Sequence, residues 1–477
     1  MKQNCTASSC LVTRRTALSM LLAGTIARRV KFGLARWGSP ALLAQGVSGK
    51  PLSQLSVSSN GRFLQDASGQ PFFLVGDCPQ NLPVKLAISQ LDEYMADCKS
   101  KGFNLLWICI DGQGADAPSA KDPSPKDRNN NPMMTSDWDI GALNDAYFVT
   151  IDAIVKTAAV HGIYCMLTPM SECQWFPANI RANSADKWHR YGLYLGKRYR
   201  TKANIIWQLG NDNITTFAQH AIVRGIKEAG DTHLMTVNWR PGFRREGSGW
   251  VRKYQHGEDW IDLNAWYINA PISEGGAPCY WQKIEYEREN PMPSFQTEAQ
   301  YQPPDRKATD LDCRMQNYYV ALGGGCGGQV YGAGYLANKW DYDSYKNNGG
   351  RIQTIHFKKL FVSREWTTLV PDYSHTFITA GYGTLSPTTT DYVGAAINKG
   401  SLGMAYCPRA VTITADMLRF SGKVLGRWYD PTDGNFRAVG ESPLQNNGSR
   451  QFSTPGKNSA GDEDWVLVLE TRAATRS

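Results

Sequence analysis

A chain of 477 residues is too long for one ordinary domain and suits a large barrel with an accessory module. Its formal charge of +8 invites a nucleic-acid partner, yet seven basic residues (Lys2, Arg14, Arg15, Arg28, Arg29, Lys31, Arg36) crowd the first 45 positions, which hold no acid. Beyond them 44 basic residues face 43 acidic ones, so no basic stripe remains to attract phosphates, and no nucleic-acid partner is expected.

The first segment, residues 1–45, reads as a leader. A polar start precedes Thr13-Arg14-Arg15-Thr16-Ala17-Leu18 and a short apolar stretch to Ile26, with small residues near Ala44 that permit cleavage. This is similar to a twin-arginine export signal. Arg28, Arg29 and Lys31 after the apolar stretch depart from the tidy form, and the bland alternative is a disordered basic N-terminus. The stretch is too short to span a bilayer, so no membrane span is expected and the location is periplasmic or extracellular, in a bacterium. Of eleven Cys, nine lie beyond the leader without a CxxC or a Cys/His cluster, and an odd number cannot pair fully. A disulfide framework is not indicated, and Cys109 and Cys165 inside apolar runs read as core thiols.

Next, Gly61–Leu64 and Pro71–Leu74 flank Asp66-Ala67-Ser68-Gly69-Gln70, a hairpin signature. Eight short apolar runs follow, at Phe72–Gly76, Asn104–Ile110, Ile163–Leu167, Ile205–Leu209, Leu234–Val237, Ile261–Trp266, Met292–Phe295 and Gln329–Tyr331. Helical patterns separate them: Ser89–Lys101, opened by a Ser-x-x-Asp capping box, then Leu143–Val160, Ala185–Tyr199, Phe217–Ala229, Trp281–Glu287, Leu311–Leu322 and Arg351–Phe361. Eight strands alternating with helices predict a (β/α)8 TIM barrel over residues 50–370. A doubly wound sheet is the fallback, but no GxGxxG follows the first strand. From about Pro371 the texture turns to β: Tyr392–Ile397, Leu402–Tyr406, Val411–Ile413, Val424–Tyr429 and Trp465–Leu469, separated by turn signals. A small antiparallel β-sandwich over 375–477 is expected.

Active sites of such barrels sit at the C-terminal ends of the strands. The polar residues there are Asp77, Asp111, Glu172 with Trp175, Asn211-Asp212, Asn238-Trp239-Arg240, Tyr267, Glu298 and Trp340. The fourth strand, NIIWQLGND, and the seventh, PSFQTE, each deliver an acid at its end, nearly across the barrel from one another. Cleaving a glycosidic bond needs one carboxyl protonated for the leaving oxygen and another ionised to attack or to activate water. Taken singly, Asp212 could be a helix N-cap and Glu298 a surface ion-pair partner, while Asp77 and Asp111 could accept sugar hydroxyls or structural hydrogen bonds. Their joint placement favours paired catalysis by Asp212 and Glu298. Abundant aromatics, 11% with 15 Trp, fit a sugar-stacking cleft as well as a large core. His161 and His233 flank strands at the opposite end and read as structural. Neither an HExxH nor a comparable His cluster exists, so no metal and no cofactor is implied.

With these residues in place, the chain resembles the apiosidase-like glycoside hydrolases (family 140). The matching segments include GRFLQDASGQPFFLVGD, NDAYFVTIDAIVKTAAVHGIY, RYRTKANIIWQLGND, DWIDLN, PSFQTEAQY and IQTIHFKKLFVSREWTTLVPD. The C-terminal region is similar to the β-sandwich fused to that family and named for collagen binding. The resemblance implies Asp212 as general acid/base and Glu298 as nucleophile, with Asn211 on the hydroxyl beside the anomeric carbon and Tyr267 orienting Glu298. Asp77, Asp111, Trp175, Trp239, Arg240 and Trp340, at the strand ends, make up the expected sugar-binding set. Two departures stand out: Asp77-Cys78-Pro79-Gln80 lacks the Trp common after the first-strand Asp, and Asn238-Trp239-Arg240 replaces His-Pro-Arg.

The expected activity is therefore a retaining, exo-acting furanosidase or apiosidase-like hydrolase of plant-type or other polysaccharide side chains. Its partner is an oligosaccharide or polysaccharide, and the sequence is silent on oligomeric state. One rival is an endo-acting β-glycanase, cellulase-like, with an open groove lined by Trp175, Trp239 and Trp266. Another is a non-catalytic carbohydrate-binding protein whose β-sandwich does the binding.

Overall fold

The computed structural model describes residues 51–112, 124–136, 138–171, 180, 182–211, 217–238, 259–268, 270–303, 307–333, 342–440 and 442–471. The leader, and with it the export expectation, lies outside the described residues. The apolar runs become eight parallel strands: β4 (Leu74–Asp77), β5 (Leu105–Cys109), β6 (Tyr164–Thr168), β7 (Ile205–Asn211), β8 (Met235–Asn238), β9 (Asn264–Tyr267), β10 (Ser294–Glu298) and β11 (Gly327–Tyr331). Ahead of them, β1 (Ser56–Val57), β2 (Leu64–Gln65) and β3 (Pro71–Phe72) form the small antiparallel sheet that the hairpin signature anticipated.

In the barrel sheet the order is β8-β7-β6-β5-β4-β11-β10-β9. Its two edges meet where Asp262 N donates to Met235 O at 2.9 Å and the Thr236 hydroxyl donates to Leu263 O at 2.9 Å. These bonds bring the edges together into a nearly closed (β/α)8 barrel. Strands buried on both faces carry apolar side chains on both, which explains why they read as continuous runs rather than alternations. Leu74, Leu105, Trp107, Tyr164, Met166, Ile206, Ala265, Phe295 and Val330 fill the interior, and Leu55, just before β1, and Leu64 of β2 pack into the same cluster. Residues one step along, such as Val75, Leu106, Ile108, Cys165 and Trp207, face the helices.

Seven longer helices are described: α1 (Leu91–Ser100), α2 (Asp145–Val160), α3 (Ala185–Tyr199), α4 (Phe217–Glu228), α5 (Pro278–Tyr286), α6 (Asp310–Leu322) and α7 (Gly349–Val362). Three of them start on side-chain caps: Asn144 on Ala146 N, Ser184 on Lys187 N, and a reciprocal Thr309/Asp312 box. The box expected at Ser89 is absent. A 3-10 turn, Ile88–Gln90, leads into α1, and Asp92 instead pairs with His161 Nε2 at 2.8 Å, fastening α1 to the end of α2. His233 is likewise structural: it bridges Asp231 at 2.7 Å and the Lys202 carbonyl at 2.6 Å. No helix among the described residues is long and apolar enough to cross a membrane.

The C-terminal strands are β12 (Val370–Pro371), β13 (Ile378–Ala380), β14 (Gly394–Ile397), β15 (Leu402–Cys407), β16 (Thr412–Asp416), β17 (Val424–Tyr429), β18 (Phe436–Ala438), β19 (Ser449–Ser453) and β20 (Trp465–Thr471). They make two antiparallel sheets, β12-β14-β15-β20-β17-β18 and β13-β16-β19, over a core that includes Phe377, Ile413, Ala415, Trp465 and Leu467. The outer face of the larger sheet lies on α6. Tyr318 stacks on Tyr406 with centroids 4.8 Å apart, and buried Arg314 grips both oxygens of Asp464 at 2.7 and 2.8 Å. All eight described cysteines are buried, and no disulfide joins any two of them.

Candidate active site

Two irregularities in the ladder shape the barrel mouth. Trp266 pairs with Gln296 and Tyr267 pairs with Glu298, so Thr297 is an extra residue in β10. Phe295 faces the interior, and strict alternation from it would send Glu298 outward. The bulge resets the phase and turns Glu298 inward beside Tyr267. A second bulge lies in β7: Leu209 pairs with Val237 and Asn211 with Asn238, leaving Gly210 as the extra residue at φ +77°. That backbone conformation is costly for any residue with a Cβ, which accounts for the glycine between strand and acid.

Glu298 is 6% exposed. Asn238, at the end of β8, donates Nδ2–H to its Oε2 at 3.4 Å. Cys78 also lies close, on the interior side of β4. Burial, and next the Glu298 carboxylate, hold its thiol well above the usual range, so it stays neutral. Gln80 then bridges two thiols, donating Nε2–H to Cys78 Sγ at 3.2 Å and taking Cys109 Sγ–H at 3.9 Å. Tyr301 packs into the same wall only because Gly332 lacks a side chain: a Cβ there would stand 1.8 Å from the ring. Glu298 thus sits in a mostly buried setting with an amide and a thiol for neighbours. Such a carboxylate can attack an electrophilic carbon.

The expected sugar-binding acids are placed differently. Asp77 falls on the outer face of β4, because Leu74 and Cys78 take the interior positions. Its Oδ2 accepts from Tyr94 Oη at 2.7 Å and from Arg351 at 2.5 Å, and Oδ1 accepts from Cys78 N at 3.0 Å. Arg351 is itself fully buried. Asp77 thus makes a structural ion pair, the alternative to the sugar-hydroxyl role expected of it. Asp111 is 1% exposed, and its Oδ2 accepts from both N and Oγ of Ser171 at 2.7 Å each, tying the end of β5 to the end of β6. Trp266, expected along an open groove, faces outward against Trp281 and Val320 and donates to Gln282 at 2.9 Å. Tyr267 pairs with Glu298 in the ladder, and the Asn211 backbone is beside Asn238. Asp212, Glu172, Trp175, Trp239, Arg240 and Trp340 lie outside the described residues.

Sequence reasoning named Cys78, Gln80 and Asn238 only within the two departures from the family pattern and gave none of them a role of its own. Gln208 on β7 was passed over too. It is fully buried, and neither amide atom has a partner among the described residues; the same holds for Asn238 Oδ1. For Cys78 the signal was present, since counting by twos from Leu74 reaches it and not Asp77.

The chain matches the family model described as "Apiosidase-like, catalytic domain" over residues 58–368. Residues 383–470 match a model named for a "collagen-binding domain of a collagenase". Among solved structures, one described as a glycoside hydrolase is similar at 23% identity and TM-score 0.73, covering 88% of this chain and 97% of its own. A glycoside hydrolase family 5 protein from Bacteroides vulgatus is similar at 22% identity and TM-score 0.74, covering 87% and 93%. At such identities these likenesses speak to the fold. No curated protein matches the chain.

Proposed function

The chain belongs to the apiosidase-like family, a family of glycoside hydrolases, and from that premise we propose that it is an exported, retaining, exo-acting furanosidase. Its substrates in this reading are side-chain sugars of plant-type polysaccharides. The observation that carries the reading is the bulge at Thr297, which points a mostly buried carboxylate into the mouth of a barrel of this family. Glu298 attacks the anomeric carbon through one oxygen. The glycosidic C–O bond breaks, and its electron pair leaves on the oxygen that Asp212 protonates. Asp212, then ionised, takes a proton from the water that opens the glycosyl ester and releases Glu298. Asn211 meets the hydroxyl beside the reacting carbon, Tyr267 orients Glu298, and Trp175, Trp239, Arg240 and Trp340 line the sugar pocket.

With Trp266 turned to the outer layer, one of the three rings expected along an endo-acting groove is removed, which favours the exo reading. The test is a pair of near-isosteric variants, Glu298→Gln and Asp212→Asn, assayed on pectic, arabinan and glucan oligosaccharides. Each is expected to lose about 1,000-fold or more in turnover while keeping its circular dichroism spectrum. Retention of more than a tenth of wild-type turnover in either one removes that residue from its role. Release of internal fragments instead of terminal sugars overturns the exo assignment.

A further inference from the structure

We infer that Asn238 is a positioning residue of the Glu298 carboxylate, holding one of its two oxygens. This rests on the reading of Glu298 as nucleophile. Along β8, Met235 and Val237 belong to the outer core, which leaves Thr236 and Asn238 for the barrel interior. From that position Asn238 reaches past β9 to β10, and its Nδ2 stands 3.4 Å from Glu298 Oε2. Asn238 is fully buried. Its Oδ1 has no partner among the described residues. The contact with Glu298 fits one orientation of the amide: a half-turn would press the amide oxygen against the carboxylate.

An ester formed through Oε1 leaves Oε2 as its carbonyl oxygen, where the same N–H continues to be accepted. The donor thus fixes rotation about the last side-chain bond in both states. It also favours the ionised carboxylate, since the charged form is the better acceptor.

The test uses the full chain and whichever member of a 4-nitrophenyl furanoside and pyranoside panel it hydrolyses. Asn238→Asp, nearly isosteric, sets a second carboxyl beside Glu298 and is expected to move the acid limb of the kcat/KM profile upward by about one pH unit or more. Asn238→Ala is expected to lower kcat roughly 10- to 100-fold with KM changed less than about threefold. Asn238→Ser, which keeps a short donor, should recover part of that loss and covers the case in which Asn238→Ala does not fold. A purely structural role would shift thermal stability and leave the pH limb in place, and that result overturns the inference. In parallel, a 2-fluoro glycosyl fluoride of the hydrolysed sugar traps the nucleophile for peptide mass analysis. Labelling of the Glu298 peptide together with an unmoved acid limb sinks the Asn238 role alone. Labelling elsewhere sinks the Glu298 reading and this inference with it.

Discussion

Replacing Arg351 with Met measures whether Asp77 belongs to the scaffold. Arg351 spans from α7 to β4, with one guanidinium nitrogen 2.5 Å from Asp77 Oδ2, and the other 3.1 Å from Cys98 Sγ and 3.3 Å from Asp97. The guanidinium carbon also lies 4.8 Å from the Phe103 ring centroid and within 6.0 Å of four Tyr rings. Met fills most of that volume without charge, so cavity formation is a minor part of the cost. The major part is the Asp77 carboxylate left buried without its cation, which costs about 3–5 kcal/mol for pairs of this kind. Tyr94 and Cys78 N still donate to it, which sets the expectation near the lower end, about 3 kcal/mol. The double variant Asp77→Asn/Arg351→Met removes the orphaned charge and should recover at least about half of the loss. Urea unfolding followed by Trp fluorescence reads both. A loss below about 1 kcal/mol for Arg351→Met, or an Asp77→Asn variant with normal stability and a raised KM, would refute the structural assignment.

Three further outcomes follow from the packing. Gly192→Ala should lower stability by ~2 kcal/mol or more, because its Cβ would stand 2.1 Å from the Ile222 carbonyl where α3 meets α4. In an open helix the same change stabilises by about 1 kcal/mol, so a raised thermal midpoint would exclude the close helix contact. Burial pushes the Lys358 ammonium down to about 8 from 10.5; between those values the unfolded chain holds the proton and the folded one has released it, so stability rises with pH across that window. Lys358→Met should flatten the rise, by up to ~1.4 kcal/mol per pH unit, and an unchanged difference between the two proteins from pH 8 to 10.5 would contradict it. Arg314→Met strands Asp464 at the seam between α6 and the sandwich, and should shift unfolding by about 3 kcal/mol or split it into two transitions, with an unchanged calorimetric trace as the refuting result.

What was legible in the sequence divides along physical lines. Strands enclosed by helices outside and side chains inside must be apolar on both faces, so eight short runs separated by amphipathic helices announced the barrel. The strand-terminal acids were equally plain as positions. Their directions were not, because direction depends on register, and register on where the ladder takes in an extra residue. Glu298 is three residues after an inward Phe295 and points inward only through the bulge at Thr297. Asp77 follows the undisturbed alternation of β4 and points outward. Its partner Arg351 is 274 positions away, beyond the reach of any local pattern.

The outward Asp77 and the inward Cys78 divide the labour of one strand end. Asp77 fixes β4 to α1 through Tyr94 and to α7 through Arg351, which ties the first helix of the barrel to the last. With the backbone held at that point, Cys78 presents its thiol on the interior side, near Glu298. Gln80 holds the next turn of chain by accepting Cys109 N at its carbonyl, 2.9 Å away. The first strand therefore contributes to the mouth a compact, uncharged side chain, held in place by a charged pair on its reverse face. A bulkier residue at position 78 would press on Glu298 or Tyr301, and a charged one would compete with the carboxylate for its own protonation state. In that two-sided arrangement the neighbouring acid, Asp77, lies on the far side of the sheet and is paired there with Arg351.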